Sequence, residues 1–371
     1  MSAPVWTDVD VRAALGLAAA ATTERVTYTG VSTDSRDIDE GELYVALTGE
    51  HFDGHDFVAD ALAKGARGAV VSRPRGASVR GPLYHVDDTL VALGALAAHR
   101  RRSVRAPVVA ITGTSGKTTT KDLTAAAIGS TKRVHATRGN KNNRIGMPLT
   151  LLATPVDAEA VVLELGTNEP GEIRTLAQIA RPDIGVVTTV GEAHLEKLGS
   201  FEGVLDEKLD LLRGLADGGR CMVGDEPSVL AARARALCPS LRVAGWTHRA
   251  DPELRLEHAR VDVFGHYEFE WRGETVTVPL LGRHSATDAM LALAIADLVG
   301  VAPADAARGI AKADTNPLRC EVRRLGTLTL IVDCYNANPQ SVRAALDVLE
   351  GQVAKRRVAV LGSMLELGTE S

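Results

Sequence analysis

With 371 residues, 45% of them hydrophobic and 24% charged, the chain is long enough for two or three globular domains. A net charge of -5 and only 4% aromatic residues give no basis for a nucleic-acid-binding surface, which needs basic and aromatic side chains interleaved. No uncharged apolar run reaches membrane-spanning length, and the first residues, Met1 to Asp10, lack a basic and apolar leader, so a cytoplasmic protein without membrane insertion is expected.

The four cysteines, Cys221, Cys238, Cys320 and Cys334, stand far apart with no C-x-x-C spacing. That predicts reduced core thiols and neither a disulfide framework nor a zinc site.

Residues up to about Arg105 read as a small α/β unit. Val26 to Thr33 alternates like one strand, Gly41 to Leu47 like a second, and Gly68 to Ser72 like a third. Phe57 to Lys64 has helical periodicity closed by Gly65, and Leu90 to Arg102 is an apolar helix ending in basic residues. Between the second strand and the first helix, the loop Gly49 to His55 holds two histidines and two acids. Its spacing suits a solvated turn as well as a weak metal site.

Pro107-Val-Val-Ala-Ile-Thr-Gly-Thr-Ser-Gly-Lys-Thr-Thr-Thr-Lys121 is the most informative stretch. A buried strand over Val108 to Ile111 meets a glycine loop and then a helix running to Ile128. Gly113, Thr114, Ser115 and Gly116 would turn backbone N–H groups toward a phosphate at the positive end of the helix dipole. Lys117 would reach the β- and γ-phosphates of a nucleoside triphosphate, and Thr118 or Thr119 would ligate Mg²⁺. The loop is shorter than the usual G-x-x-x-x-G-K-[ST], since position 111 is Ile.

Strands then alternate with helices, which predicts a mostly parallel sheet. The Asn- and Gly-rich loop Gly139 to Asn143 could be turn chemistry or could orient a polar substrate. Glu164 closes the apolar strand that begins at Ala160, and a buried carboxylate beside a nucleotide site favours Mg²⁺ as its partner. Further strands are read at Asp183 to Thr189 and Arg220 to Asp225, with a helix from Glu202 to Leu215. A hairpin spans Val261 to Val278 around Trp271 to Glu274, and an Ala/Leu-rich helix ends at Leu298. A strand at Leu328 to Asp333, a helix at Ser341 to Leu349 and a strand at Val358 to Leu361 read as the start of a third α/β domain. About 50 residues cannot complete such a domain, so a chain truncated at its C-terminal end is expected.

Taken together these segments resemble the Mur ligases of bacterial cell-wall synthesis. The resemblance is carried by Ser32 to Arg36, Gly41 to Gly49 with Asp53-Gly-His55, Ile111 to Lys121, Gly139 to Asn143 with Gly146 to Thr150, Glu164 to Asn168 with Pro170 to Ile173, Ala193 to Glu196, and Asp333 to Pro339. The short phosphate loop is the form this family uses. The double-Asn loop and the Pro-Gly-Glu-Ile run are similar to the branch that joins D-alanyl-D-alanine to UDP-N-acetylmuramoyl-tripeptide.

The resemblance implies three parts: residues 1–104 binding the UDP substrate, 105–316 binding ATP, and 317–371 as an incomplete C-terminal, Rossmann-like ligase domain. It implies a monomer, ATP and Mg²⁺, and an acyl-phosphate route releasing ADP and phosphate. Lys117, His194 and Lys208 would be catalytic. Thr118, Glu164, His194 and Lys208 would hold metal, with Lys208 carbamylated. Gly113 to Thr119, His284, Arg319, Asp333, Tyr335 and Asn336 would bind ATP. Ser35, Arg36, Asp53, Gly54, His55, Asn140, Asn142 and Asn143 would bind the UDP-peptide substrate. Where the family has His-Asn and a second Asn for adenine, this chain has His284-Ser285 and Asp288. The family's Gly-Arg is Leu318-Arg319, and its Gly-Asp-Met is Gly362-Ser363-Met364. The alternatives are the sister branch that adds a diamino acid to UDP-N-acetylmuramoyl-dipeptide, a phosphotransferase or nucleotide switch, and a fragment that only binds substrate.

Overall fold

The computed structural model describes residues 5–19, 26–72, 81–314 and 317–364. Backbone contacts group them into two units. One holds the described residues within Met1–Ala106, Thr137–Ala158 and Gln178–Arg181; the other holds those within Pro107–Ala136, Glu159–Ala177 and Pro182–Ser371.

In the first unit, Val31–Ser32, Leu43–Val45, Gly68–Ser72 and Leu83–Val86 form a parallel sheet in that order. The expected single strand from Val26 to Thr33 is instead two. Thr27–Tyr28 pairs antiparallel with Trp6–Thr7, and Val31–Ser32 joins the parallel sheet. The division falls around Gly30, whose carbonyl accepts the Leu43 N–H while Thr29 N–H bonds Gly41. Helix Thr89–Ser103 is capped by Asp88, whose carboxylate accepts Leu90 N–H at 2.7 Å, and carries Arg100, Arg101 and Arg102 at its negative end.

A six-stranded parallel sheet organises the second unit. Its spatial order is Arg242–Ala244, Arg220–Gly224, Ile184–Val187, Val108–Thr112, Ala160–Glu164 and Val134–Ala136. The first strand in sequence, Val108–Thr112, is central, and successive strands are laid down on one side of it and then on the other. The carboxyl end of that strand is therefore a topological switch point, where open α/β sheets bind ligands. All five of its residues are buried, as a parallel strand covered on both faces requires. Helix Arg283–Leu298 packs its alanine- and leucine-rich body against helix Lys117–Gly129 and the sheet core.

The hairpin His266–Trp271/Glu274–Leu281 turns through Arg272 (φ 50°) and Gly273 (φ 82°), both left-handed as a two-residue hairpin turn demands. Glu321–Leu325 and Leu328–Val332 form a two-stranded antiparallel sheet followed by helix Pro339–Glu350. The strand expected at Val358–Leu361 is absent. Those residues are exposed, and no neighbouring strand lies beside them among the described residues to satisfy their backbone.

The expectation for the cysteines is also corrected. Cys221, on a sheet strand, and Cys238, at the end of helix Ser228–Leu237, form a disulfide within the core, and Cys334 is exposed rather than buried. Only Cys320 matches the expected buried free thiol. Among the described residues no helix is long and apolar enough to cross a membrane.

Candidate active site

The phosphate loop joins the central strand to helix Lys117–Gly129 through two glycines with positive φ, Gly113 (152°) and Gly116 (82°). Both also sit where a side chain has no room. A Cβ on Gly113 would collide with Thr188 Oγ1, and one on Gly116 would lie 2.6 Å from Asp288 Oδ1. The loop is also held from behind, by the segment that follows strand Ile184–Val187. Thr114 N–H donates to the Thr189 carbonyl at 2.9 Å, Thr114 Oγ1 accepts Gly191 N–H at 3.0 Å, and Thr188 Oγ1 donates to the Ser115 carbonyl at 2.5 Å.

Lys117 folds back over this loop, donating to the carbonyls of Gly113 (2.9 Å) and Thr114 (3.1 Å). Burial lowers its ammonium below the usual lysine value; the Glu164 carboxylate opposes that and the Arg319 guanidinium adds to it. Arg319 reaches in with Nη2 donating to Thr118 Oγ1 at 3.2 Å, while its guanidinium lies 4.5 Å over the Tyr335 ring. Lys208 is 2% exposed and is pushed down to about 7, first by burial and then by the Lys117 charge, against the pull of Glu207 and Glu172. Lys117, Thr118, Glu164, Lys208 and Arg319 are thus coupled around one loop at the sheet's switch point.

The other expected residues of the second unit sit on several elements. Thr119 is half-buried on the first turn of the loop helix. His194 has a left-handed backbone (φ 55°) and starts the short helix Leu195–Leu198. Asp333 accepts Cys320 N–H at 3.2 Å, the Tyr335 side chain is exposed, and Asn336 turns its own amide onto Ala337 N–H. His284 is exposed on the first turn of helix Arg283–Leu298. Ser285 and Asp288 both turn inward, Ser285 to the Leu281 carbonyl at 2.7 Å and Asp288 to the Thr120 hydroxyl at 2.8 Å.

Among the described residues no three His, Cys, Asp or Glu side chains form a metal cage. The oxygen donors of Thr118 and Glu164 nevertheless suit Mg²⁺, which takes one or two protein oxygens and fills its octahedron with phosphates and water. Glu164 is buried and interacts electrostatically with Lys117 and Asp122, which places a carboxylate at the phosphate loop for a cation to meet.

The expected substrate residues all belong to the first unit. Arg36 is exposed and gripped by Asp34 through two nitrogens at 2.9 and 2.7 Å, and Ser35 is buried with its carbonyl accepting Lys64 Nζ. Of the loop Gly49 to His55, residues 49–52 are exposed as a solvated turn would be, while Asp53-Gly-His55 is tied into the unit. His55 Nε2 accepts Ser72 N–H at 2.9 Å, which leaves Nδ1 to carry the proton donated to Asp53 at 2.6 Å. The Gly54 carbonyl accepts the Tyr44 hydroxyl. Asn143 Oδ1 caps helix Gly146–Leu152 through Ile145 and Gly146 N–H, and the Asn140 carbonyl accepts Asn142 N–H. The Asn143 side-chain oxygen is therefore engaged in turn chemistry.

Three residues tied to the loop, its supporting segment or the Lys208 helix are not singled out by the sequence. Asn338 caps helix Pro339–Glu350 and donates to Ser115 Oγ at 3.3 Å, and Gln340 accepts the Thr189 hydroxyl at 2.9 Å. Glu207, one residue before Lys208, accepts three hydrogen bonds. For Asn338 the Asn-Pro-x-Ser capping pattern is a readable signal; for the other two there is none.

Three family descriptions match in order along the chain: the Mur ligase family catalytic domain at residues 27–101, the Mur ligase middle domain at 111–296, and the Mur ligase glutamate ligase domain at 318–371. A UDP-N-acetylmuramoyl-tripeptide–D-alanyl-D-alanine ligase of Bacillus subtilis (strain 168) is 38% identical over 353 residues, 93% of this chain and 75% of that protein. The crystal structure of MurF from Acinetobacter baumannii superimposes with a TM-score of 0.89 at 29% identity, over 100% of this chain and 82% of that one. MurF ligase from Thermotoga maritima, solved in complex with ADP, does so with 0.82 at 28% identity, over 92% and 79%. The chain belongs to the Mur ligase family.

Proposed function

We propose that this chain is an ATP-dependent ligase that joins D-alanyl-D-alanine to UDP-N-acetylmuramoyl-tripeptide in peptidoglycan precursor synthesis, releasing ADP and phosphate. The observation that carries the reading is the coupling of Lys117, Glu164, Lys208 and Arg319 around a phosphate loop in a chain 38% identical to such a ligase. The reading includes a monomer in the cytoplasm, with residues 1–104, 105–316 and 317–371 as its UDP-substrate, ATP and ligase domains.

A carboxylate and an amine do not condense in water, so one must be activated. A terminal carboxylate oxygen of the tripeptide attacks the γ-phosphorus, the bond from that phosphorus to the ADP oxygen breaks, and an acyl phosphate results. The D-alanyl-D-alanine nitrogen then attacks the acyl carbon, the carbon–oxygen bond to phosphate breaks, and the amine proton leaves to solvent. Catalysis of such transfers is positioning and charge neutralisation. The loop N–H groups of Ser115 to Thr119 would cradle the phosphates, the Thr114 N–H being held by the Thr189 carbonyl. Lys117, released from the Gly113 and Thr114 carbonyls, would follow the transferring group, and Arg319 would add a second positive charge. Mg²⁺, when bound, supplies further neutralisation of the phosphates; Thr118 and Glu164 would hold it, with His194 and a carbamylated Lys208 serving a second ion. With its value lowered to about 7, Lys208 has a large neutral fraction at neutral pH, and the neutral amine is the form that reacts with CO₂. His284, Asp333, Tyr335 and Asn336 would line the nucleotide. Ser35, Arg36, Asp53, Gly54, His55, Asn140, Asn142 and Asn143 would take the UDP-peptide, with the Asn143 side-chain oxygen also shaping the loop.

The test is phosphate release from ATP and Mg²⁺ with UDP-N-acetylmuramoyl-tripeptide and D-alanyl-D-alanine added singly and together. Turnover that needs both, with a pentapeptide product, supports the reading. Turnover with the dipeptide substrate and a diamino acid would replace it by the sister reaction, and hydrolysis indifferent to both would sink it.

A further inference from the structure

We propose that Glu207 is a positioning residue of the active site: its carboxylate clamps the segment that follows Glu164, so that the metal-side strand end and Lys208 keep one fixed register. The proposal rests on the ligase reading for its kinetic consequence, though not for its structural one.

Glu207 lies on helix Phe201–Arg213, one residue before Lys208, and is only 5% exposed. Its Oε2 accepts Gly171 N–H at 2.7 Å, and its Oε1 accepts Ile173 N–H at 2.8 Å and the Thr167 hydroxyl at 3.1 Å. Gly171 and Ile173 border the start of helix Glu172–Ala180, where backbone N–H groups have no partner within the helix. A carboxylate from another helix, more than thirty residues on, thus does the work of an N-cap. Three residues further along the same helix, Asp210 accepts Arg174 Nε at 3.1 Å and ties the two helices a second time.

The clamped segment is short and fixed at its other end. Directly after Glu164, Leu165 N–H donates to the Ile111 carbonyl and the Leu165 carbonyl accepts the Thr112 hydroxyl at 2.8 Å, both on the phosphate-loop strand. Glu172 closes the middle, its Oε2 accepting Asn168 N–H at 2.7 Å and Glu169 N–H at 3.1 Å. Residues 165–173 therefore bridge the phosphate-loop strand to the Lys208 helix, and Glu207 is the bond at the Lys208 end. An ionised carboxylate accepts all three hydrogens without conflict. A glutamine of equal size would turn an NH₂ toward one of those donors.

Two measurements test this on the full-length enzyme. The first is amide hydrogen exchange without substrates, independent of any activity. In Glu207→Gln, exchange across 165–173 is expected to rise about tenfold while the loop helix 117–129 keeps wild-type protection. Unchanged exchange at 165–173 overturns the proposal, as does an equal rise in both segments, which would mean general destabilisation. The second is steady-state phosphate release. Glu207→Gln is expected to lower kcat about tenfold with KM for ATP within about twofold, Thr167→Val to lower kcat about threefold, and Glu207→Asp to recover part of the loss. Wild-type kcat in both Glu207→Gln and Thr167→Val, or a loss proportional to the unfolded fraction, overturns it. Should the wild type itself show no substrate-dependent turnover, the ligase reading falls, and the exchange result alone decides whether Glu207 holds the segment.

Discussion

The carboxylate of Asp288 accepts the Thr120 hydroxyl at 2.8 Å and sits against Gly116 of the phosphate loop, joining residues 168 positions apart. Its second oxygen is buried without a hydrogen-bond partner, and burial pushes the group up to about 7 despite the Thr120 bond and the Arg319 charge. The folded state therefore keeps a proton that the unfolded chain loses near 3.8. Stability from this group is complete below that value and is lost as pH rises toward 7. Asp288→Asn, a neutral isostere, should flatten that decline and stabilise the protein at pH 8 by on the order of a few kcal/mol. Urea unfolding of both proteins at pH 5 and pH 8 checks it; curves that stay parallel would sink the assignment.

The same contact makes Gly116 intolerant of a side chain. Gly116→Ala would set a Cβ 2.6 Å from Asp288 Oδ1 at a φ of 82°. A loss of about 1–3 kcal/mol in stability is expected, together with weakened nucleotide binding. Thermal unfolding with and without ADP reads both, and an alanine variant with wild-type ADP stabilisation would refute it.

Lys117 should separate activity from stability. Lys117→Met removes a desolvated ammonium whose only observed bonds here are to two loop carbonyls. Its kcat is expected to fall at least about a hundredfold, as when a charge-stabilising donor is lost from a transition state. Its unfolding midpoint should equal or exceed wild type. A parallel loss of both would point to a structural role.

In the first unit, Tyr28 and Tyr84 hydroxyls meet at 2.7 Å, and Tyr84 donates onward to Asp8 at 2.6 Å. Tyr84→Phe strands the buried Tyr28 hydroxyl and removes a donor from Asp8. The expected cost is about 1–3 kcal/mol, read by denaturant titration. Tyr28→Phe, which leaves the Tyr84–Asp8 bond intact, should cost less, and the reverse order would contradict the direction of the chain of hydrogen bonds.

The Cys221–Cys238 disulfide closes a separation of 17 residues. Chain entropy alone gives a loop of that size about 3 kcal/mol. Reductant should lower the denaturant midpoint of the wild type and leave that of Cys238→Ser unchanged. Equal sensitivity of the two would remove the disulfide from the stability account.

What could be read before folding followed from local, periodic physics. The run Val108 to Ile111 is β-branched and apolar enough to demand burial on both faces, and the glycines at 113 and 116 announce a turn no other residue makes. Strand Gly68–Ser72, helix Thr89–Ser103 and the Arg272-Gly273 hairpin were legible for the same reason. Local signals failed where pairing decided. Val26 to Thr33 alternates like one strand, yet its halves join different sheets, and Val358 to Leu361 has strand composition but no neighbour among the described residues.

The sequence by itself determined the parallel α/β class, the phosphate loop and the family resemblance, because hydrophobic period and glycine spacing are properties of adjacent residues. Only tertiary structure decided that Asp288 lies against Gly116 and bonds Thr120, that Cys221 meets Cys238, and that Glu207 caps a helix more than thirty residues away. Those are single side-chain contacts across the fold. They leave no periodicity in the chain, and their energy appears only once the sheet has brought distant segments within hydrogen-bonding reach.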